Sequence, residues 1–235
     1  MSKIICNIPH SGTQIPEWAR KDILVPEWEF RELMDFMTDV AVDELWDFVP
    51  QENMVVAGLS RLILDTERFR DDRDEPMAKL GMGLYYTHTP AGKEFRRKSS
   101  DTYAICLSLY DAYHRELEEK VTACLSQHGT CIVLDCHSFH DKMDYTGYDP
   151  KEYPDVCVGI NGRLSAEAGS VVELLSSAGY SVKINEPFSG ALVPLKYLKD
   201  PRVTSIMIEL NRRIYHNSSF PVVHRLCRKI YEMLE

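Results

Sequence analysis

Short apolar runs recur along the chain, and several end abruptly in charged or imidazole side chains. The run at 131–134 is followed at once by Asp135, Cys136 and His137. A continuous apolar run bounded by turn residues predicts a strand buried on both faces, as in a parallel sheet. Because side chains alternate along a strand, Asp135 and His137 should share one face, and Cys136 should point to the other. Asp135 is therefore placed to support His137.

Other apolar runs extend this pattern. Runs with strand character lie at 3–8, 53–57, 62–64, 156–160, 181–184 and 203–208. Apolar positions near helical spacing predict helices at 30–48, 100–129, 163–178 and 221–234. Strands and helices alternate in the second half of the chain, which is typical of parallel strands joined by crossover helices. We therefore predict a single α/β domain over residues 1–235, a three-layer sandwich with a mixed, mainly parallel sheet, in which the irregular stretch 141–154 forms a rim loop.

Composition narrows the class of partner. With 44% hydrophobic and 27% charged residues, the 235-residue chain can bury a full core. Its net charge of -9 and isoelectric point near 5.4 argue against a nucleic-acid or anionic-membrane surface, so we expect a small-molecule partner. No apolar run approaches the roughly 20 residues of a membrane span, and the chain leads from Met1 straight into a strand without a signal peptide. These features predict a cytoplasmic protein.

Cysteine usage points to the same compartment. The seven cysteines form an odd set without a CxxC pair, and most of them lie inside apolar strand or helix patterns. Secreted disulfide frameworks and zinc sites built from cysteine pairs show different spacing. We therefore expect reduced thiols in the protein core.

Polar groups follow four of the predicted strands. These groups are His10, Asp65, His137 and Glu209. In an open α/β sheet the carboxyl ends of the strands meet at one crevice, so these side chains are expected to converge. Two histidines and a carboxylate around an open coordination position suit a catalytic zinc ion, and the remaining glutamate would activate water. The residues therefore predict a metal-assisted hydrolytic site.

Two alternatives arise from neighbouring residues. Cys136 is close in sequence to His137 and His140 and offers a cysteine-dependent, non-metal hydrolase, although its side chain should face away from His137. Arg61 and Arg68 flank the third predicted strand, where they suit a bidentate grip on a substrate carboxylate or form surface salt bridges. Both alternatives depend on which side chains face the crevice.

Six short motifs occur in order along nearly the whole chain. They are Pro9-His10-Ser11-Gly12, the segment 38–45, Ser60-Arg61 with Asp65 and Arg68, Asp135-Cys136-His137-Ser138, the segment 185–190 and the segment 208–215. Together they resemble the N-formylglutamate amidohydrolase family. The resemblance implies a zinc-carboxypeptidase-like (phosphorylase/hydrolase-like) α/β fold. It also implies metal-assisted cleavage of an N-acyl bond on an acidic amino acid, with release of formate in the type reaction.

The resemblance implies roles for individual residues. His10 and His137 are implied as ligands of one zinc ion, with Asp39 as the third ligand and Asp65 as the rival for that place, and Glu209 as the general base. Three arginines are implied to hold the substrate carboxylate and to stabilise a tetrahedral oxyanion, namely Arg61, Arg68 and Arg212. Of these, Arg68 and Arg212 are implied as catalytic residues. Asn185 and Ser189 complete the implied substrate-binding set.

The chain departs from the family pattern at two positions. Glu67 stands where the family usually has asparagine, and Ala191 stands where it has a second glycine after Gly190. An extra carboxylate and an extra methyl group near the pocket could change which acyl amino acid fits. A family member that binds an amino-acid-like ligand without turnover is a further alternative.

Overall fold

The computed structural model describes residues 2–141 and 152–235, and within these residues the chain builds a six-stranded sheet. The strands are β1 Ile4–Ile8, β2 Met54–Val56, β3 Cys131–Phe139, β4 Val156–Ile160, β5 Val182–Ile184 and β6 Val203–Asn211. Their order across the sheet is β2-β1-β3-β6-β4-β5. Neighbours β1, β3 and β6 run parallel, as do β4 and β5, whereas β4 is antiparallel to β6. The predicted α/β class with a mixed, mainly parallel sheet is thus confirmed.

Six α-helices accompany this sheet within the described residues. They are α1 Glu17–Arg20, α2 Glu27–Met37, α3 Val42–Leu45, α4 Ser100–His128, α5 Ala166–Ser177 and α6 Phe220–Leu234. Helices α4, α5 and α6 lie where the spacing of apolar residues predicts them. None of these helices is both long and apolar enough to cross a membrane.

The chain folds as two compact units. The first unit comprises the described parts of 1–8, 41–55 and 117–235, and the second comprises 9–40 and 56–116. The single domain expected over 1–235 stays a prediction. Most of the expected rim loop at 141–154 lies outside the described residues.

In the first unit, one face of the sheet is apolar and forms the core. Alternate residues of the strands supply this face, namely Ile4, Cys6, Ile8, Leu134, Cys136, Val156, Val158, Ile206 and Ile208, and all of them are fully buried. Helices α3, α5 and α6 pack their apolar sides into the same cluster, α6 through Val223, Cys227 and Ile230. Burial of each such side chain stabilises the fold by roughly 1.5–3 kcal/mol. The opposite face, called the polar face below, carries Asn7, Asp135, His137 and Glu209 together with buried apolar residues such as Val133.

The second unit has a core of its own, centred on Phe30, Ile63, Tyr86 and Phe95. All four of these side chains are fully buried, and the rings of Phe30 and Phe95 lie 5.9 Å apart at a tilt of 52°. Helix α2 supplies Phe30, whereas the other three come from the segments between β2 and α4. This core gives the irregular segments a fixed support.

The prediction of one helix at 30–48 was wrong, because the chain breaks it into α2 and α3. Thr38 is extended with ψ 138°, and Ala41 adopts the left-handed conformation with φ 58°. Between them, the backbone N–H of Asp39 donates to the carbonyl of His10 at 3.0 Å instead of to a helical partner. Asp39 therefore lies in the break rather than on a helix.

The predicted strand at 62–64 was also wrong, since these residues form a turn. The Ser60 carbonyl accepts the N–H groups of Ile63 at 2.8 Å and Leu64 at 3.1 Å, as in a tight turn. The buried guanidinium of Arg96 then donates to the carbonyls of Leu62 and Ile63 at 3.2 and 2.8 Å. The apolar side chains at 62–64 are buried in the core of the second unit and do not belong to the sheet.

All seven cysteines are free and buried, which confirms the expectation of core thiols. Cys136 lies in the apolar core of the first unit. Burial is the largest influence on its thiol and raises its pKa well above the ordinary value. A nucleophilic cysteine needs a lowered pKa and access to substrate, so this environment argues against the cysteine-dependent alternative.

Candidate active site

The polar face of the first unit carries His137 and its support. His137 lies within β3, which runs on to Phe139 because its ladder with β6 continues to the pair Phe139 and Asn211. The Nε2 atom of His137 is 3.2 Å from Oδ1 of Asp135, two residues earlier on the same face. This contact agrees with the alternation predicted from the sequence. It fixes the imidazole ring against a carboxylate.

Asp135 is itself held from two sides. Its Oδ1 accepts the side-chain amide of Asn7 on β1 at 2.8 Å, and its Oδ2 accepts the backbone N–H of Leu192 at 2.8 Å. Burial alone would raise the pKa of Asp135, but the charge of His137 and these hydrogen bonds hold the pKa below its usual value. Sequence analysis missed Asn7, although a polar residue inside the apolar run at 3–8 was a usable signal.

Glu209 lies beside His137. The two residues are register partners on the parallel strands β3 and β6, so their side chains project from the same face of the sheet. Neighbouring strands are about 4.8 Å apart, which puts the carboxylate next to the imidazole. Glu209 is only 7% exposed. A buried carboxylate beside an anchored imidazole is suited to proton transfer.

Arg212 follows directly after β6, in the short turn Arg212–Ile214. Its guanidinium is buried, and its Nε lies 3.4 Å from the hydroxyl oxygen of Ser138, the residue after His137. A guanidinium in this position brings a permanent positive charge to the end of β3 and β6.

The segment 185–190 is fixed by backbone contacts. Asn185 has φ 56°, and its amide oxygen accepts the N–H groups of Ile160 at 2.8 Å and Gly190 at 3.2 Å. A Cβ atom on Gly159 would meet the Gly190 carbonyl oxygen at 2.1 Å, so only glycine permits this approach. Asn185 thus shapes the loop. Direct contact of Asn185 and of the exposed Ser189 with substrate stays a prediction.

His10 belongs to the second unit, in the turn that follows β1. Gly12 is required in this turn, because a Cβ there would lie 2.3 Å from the carbonyl oxygen of Ala57. The imidazole of His10 is 3% exposed, and its Nε2 lies 2.8 Å from Oδ1 of Asp65. His10 is therefore anchored at Nε2 by a buried aspartate, as His137 is in the first unit.

Asp65 is the centre of a hydrogen-bond network. Besides His10, its carboxylate accepts Nη2 of Arg61 at 2.9 Å, the hydroxyl of Tyr86 at 2.7 Å and the backbone N–H of Glu67 at 3.0 Å. Burial would raise its pKa, but the positive charges of His10 and the two neighbouring arginines lower it well below the usual value. So many contacts suit an aspartate that orients its neighbours.

Two more carboxylates face the other ring nitrogen of His10. Oδ2 of Asp39 lies 3.7 Å and Oε2 of Glu67 lies 4.0 Å from Nδ1. Burial and Arg61 would lower the pKa of His10, yet the pKa is raised, because Asp65 and Asp39 stabilise the charged ring. The ring nitrogen therefore sits in a strongly negative environment.

The arginines of the second unit are linked through Tyr86. Nη2 of Arg68 donates to the Tyr86 hydroxyl at 3.1 Å, and Nε of Arg68 is 3.6 Å from the Asp65 carboxylate. Burial and the nearby Asp65 raise the pKa of Tyr86 to about 12, so it stays a hydrogen-bond donor at neutral pH. Tyr86 was not predicted from the sequence, because it lies in the irregular stretch 81–97, where no periodic pattern marks it.

The donor set fits a metal ion such as zinc. Each histidine holds a buried carboxylate at Nε2, and metal-binding histidines characteristically have such a partner on the nitrogen that does not bind the ion. Imidazole and carboxylate are the ligands that zinc takes in catalytic sites. Asp39 is placed toward the second nitrogen of His10, whereas Asp65 acts as the orienting partner.

In the first unit, an anchored histidine, a buried glutamate and an arginine lie near the carboxyl ends of β3 and β6, an arrangement suited to a hydrolase. The sequence model of the N-formylglutamate amidohydrolase family matches residues 2–216, and the chain belongs to this family. It is accordingly a hydrolase that acts on linear amide bonds.

Two solved structures share the fold. N-formylglutamate amidohydrolase from Ralstonia eutropha JMP134 is similar with a TM-score of 0.85 and 24% identity, covering 99% of this chain and 92% of that chain. A gene product of Agrobacterium tumefaciens is similar with a TM-score of 0.71 and 16% identity, covering 99% of this chain and 91% of that chain. No curated protein matches the chain in sequence.

Proposed function

We propose that this chain is a zinc-dependent amidohydrolase that removes an N-formyl, or another N-acyl, group from an acidic amino acid such as N-formylglutamate. The observation that carries the proposal is the register that sets Glu209 beside His137, with Asp135 anchoring the imidazole. Its membership of the N-formylglutamate amidohydrolase family supports the acyl group and the amino acid.

In this proposal, His10 and His137 hold the ion, with Asp39 as the third ligand. In support, each of these imidazoles is anchored at Nε2 by a buried aspartate, as is characteristic of metal-binding histidines. When bound, zinc would polarise the amide carbonyl and make water more acidic. The residues below supply the remaining chemistry.

Glu209 is the proposed general base. It takes a proton from the water that attacks the acyl carbon and passes the proton to the amine nitrogen as the carbon–nitrogen bond breaks. The products are then formate and the free amino acid. The carboxylate of Glu209 is buried and lies beside the anchored imidazole of His137, which suits it to this proton transfer.

The arginines are proposed to bind the substrate carboxylates. Arg212 stands next to Ser138 in the first unit, and Arg68 stands next to Tyr86 in the second. Their guanidinium groups are suited to bidentate pairing with carboxylates, and Arg61 extends the positive set. N-formylglutamate has two carboxylates, so an acidic substrate would use more than one of these groups.

The proposal is tested by assaying zinc-loaded protein against a panel of N-formyl and N-acetyl amino acids. We expect hydrolysis of N-formyl acidic amino acids, loss of activity with a chelator and recovery with zinc. His10→Ala and His137→Ala should each lose bound metal and activity, because each variant removes one of the two imidazole ligands of the site. Metal content is measured by elemental analysis, with wild type as the reference.

Contrary outcomes are distinct. If both histidine variants keep one zinc per chain and normal turnover, the site lies elsewhere. Binding of N-formylglutamate without turnover by zinc-loaded wild type would identify a binding protein instead of an enzyme.

We also propose that the protein works in the cytoplasm. Seven free cysteines in the core suit a reducing compartment, where disulfides do not form. Fractionation of cells that express the native gene would test this directly.

A further inference from the structure

Oε2 of Glu67 lies 4.0 Å from Nδ1 of His10, a ring nitrogen that Asp39 also approaches. We propose that Glu67 is a metal ligand in this chain, in addition to His10 and Asp39. The inference rests on the proposed zinc function. It adds a second carboxylate to the ligand set and therefore changes the charge of the site.

The separations between donor atoms support this role. Two ligand atoms that each lie about 2.1 Å from a tetrahedral ion are roughly 3.4 Å from each other. Nδ1 of His10 is 3.7 Å from Oδ2 of Asp39 and 4.0 Å from Oε2 of Glu67. Nδ1 of His10 is thus at a separation from each carboxylate oxygen that is close to the one expected for two ligands of a shared ion.

The backbone of Glu67 is held so that its side chain starts from a defined place. Its N–H donates at 3.0 Å to Oδ1 of Asp65, the same oxygen that faces Nε2 of His10. One carboxylate oxygen therefore orients both the histidine and the glutamate. Such shared support is what a preorganised ligand pair requires.

The chemistry of the side chain matters as much as its position. A carboxylate is an ordinary zinc ligand and brings a negative charge to the site. Glu67 is 19% exposed, compared with 4% for Asp39, so of the two carboxylates it is the more accessible to an incoming ion. We expect it to strengthen the hold on a divalent cation.

The test uses the full chain and two readouts that do not depend on turnover. Zinc affinity is measured by competition with a chromophoric chelator, and the absorption spectrum of the cobalt-substituted protein reports the ligand set. Glu67→Gln should weaken zinc binding by at least about 100-fold, beyond the 10–100-fold typical of a lost orienting partner, and should change the cobalt spectrum. Glu67→Asn should behave in the same way.

The matched control is Glu75→Gln, a buried carboxylate of the same unit whose oxygens accept the N–H groups of Phe69 and Met77. It should leave zinc affinity and the cobalt spectrum unchanged. If Glu67→Gln and Glu67→Asn keep both at wild-type values, the inference is overturned even if turnover falls, because Glu67 would then act on water or substrate. Failure of wild type to bind either metal would instead overturn the zinc proposal as a whole.

Discussion

Single residues in both units are held by more than one partner, and Asp65 is the clearest case. It accepts hydrogen bonds from Arg61 and Tyr86 and faces His10. Hydrogen bonds to charged groups are typically worth about 1.5–3 kcal/mol each, and a buried arginine left without its carboxylate would cost more. The arrangement keeps the imidazole in one orientation before any ligand arrives.

At this scale the sharpest prediction concerns Glu209. Glu209→Gln keeps the shape of the side chain but removes the base, and a positioned base is worth about 10²–10⁴-fold in rate. We expect kcat to fall by that factor, while zinc content and KM change little. Steady-state kinetics and metal analysis on the same preparation check this.

Two other results would contradict it. Loss of zinc from Glu209→Gln would make Glu209 a ligand. Near-normal turnover with the metal in place would mean that another carboxylate, Asp65 or Glu67, activates the water.

The arginines yield a prediction about specificity. Arg68→Ala and Arg212→Ala should lower kcat/KM for acidic N-formyl amino acids by about 10-fold to 150-fold, since a charged hydrogen bond contributes about 1.5–3 kcal/mol. Neutral N-formyl amino acids should lose much less. The control is Arg70→Ala, which removes an exposed ion pair with Asp111. Equal losses for both substrate types would end the proposed carboxylate-binding role.

At the scale of elements, the sequence predicted the sheet well and the second unit poorly. Strands β1, β3 and β6 carry largely apolar runs and form parallel ladders when buried, whereas β4 pairs antiparallel with β6. The run at 62–64 has the same appearance, but Ser60 and Arg96 satisfy its carbonyl and N–H groups within a turn. Long-range hydrogen bonds of this kind leave no local pattern in the sequence.

The start of α4 provides a prediction about stability. The buried carboxylate of Asp22 accepts the hydroxyl of Thr102, in the first turn of the helix, at 2.7 Å and Nε of Arg97 at 3.3 Å. Although burial would raise it, the pKa of Asp22 is lowered, because these donors stabilise the charged form. Asp22→Asn should reduce the free energy of unfolding by about 1–3 kcal/mol at pH 7.

The pH dependence follows from the direction of the shift. A carboxyl whose folded pKa is lowered stabilises the fold above its unfolded pKa of about 3.9, and this contribution is lost as the pH falls through the folded pKa. The difference between wild type and Asp22→Asn in urea unfolding should therefore be full at pH 7 and shrink below about pH 4. The exposed Asp74→Asn should change stability by less than about 0.5 kcal/mol at either pH. A difference that stayed constant down to pH 3 would show that the Asp22 charge contributes nothing.

At the scale of the whole molecule, zinc binding should be visible as thermal stability. A ligand at 100 times its Kd stabilises the folded state by about 2.7 kcal/mol, which corresponds to a rise in Tm of roughly 5–11 °C for a chain of this size. Calorimetry with and without zinc should show this rise in wild type and Glu209→Gln but not in His10→Ala or His137→Ala. The same rise in the histidine variants would mean that zinc binds at other residues.

The candidate site was predictable as far as local patterns reach. Alternation along a strand placed Asp135 on the face of His137, and the apolar run before His10 marked it as a group that follows a strand. Glu209 was expected at the end of its strand but lies within β6, which runs on to Asn211. Asn7 and Tyr86 were not predicted as site residues, because each acts through a hydrogen-bond partner far away along the chain, at 128 and 21 residues respectively. The placement of Asp39 depended on a helix break that the left-handed Ala41 creates.

The alternation of side chains along β3 decides which of its residues can take part in the chemistry. The side chains of Leu134 and Cys136 point into the apolar core, while those of Asp135 and His137 point to the opposite face of the sheet. Inserting or deleting one residue early in β3 would exchange these two sets, because the side-chain period is two. Such a shift of register would place an imidazole in the apolar core and a thiol on the polar face. Length changes within β3 should therefore be tolerated only in pairs, whereas most single substitutions leave this parity intact.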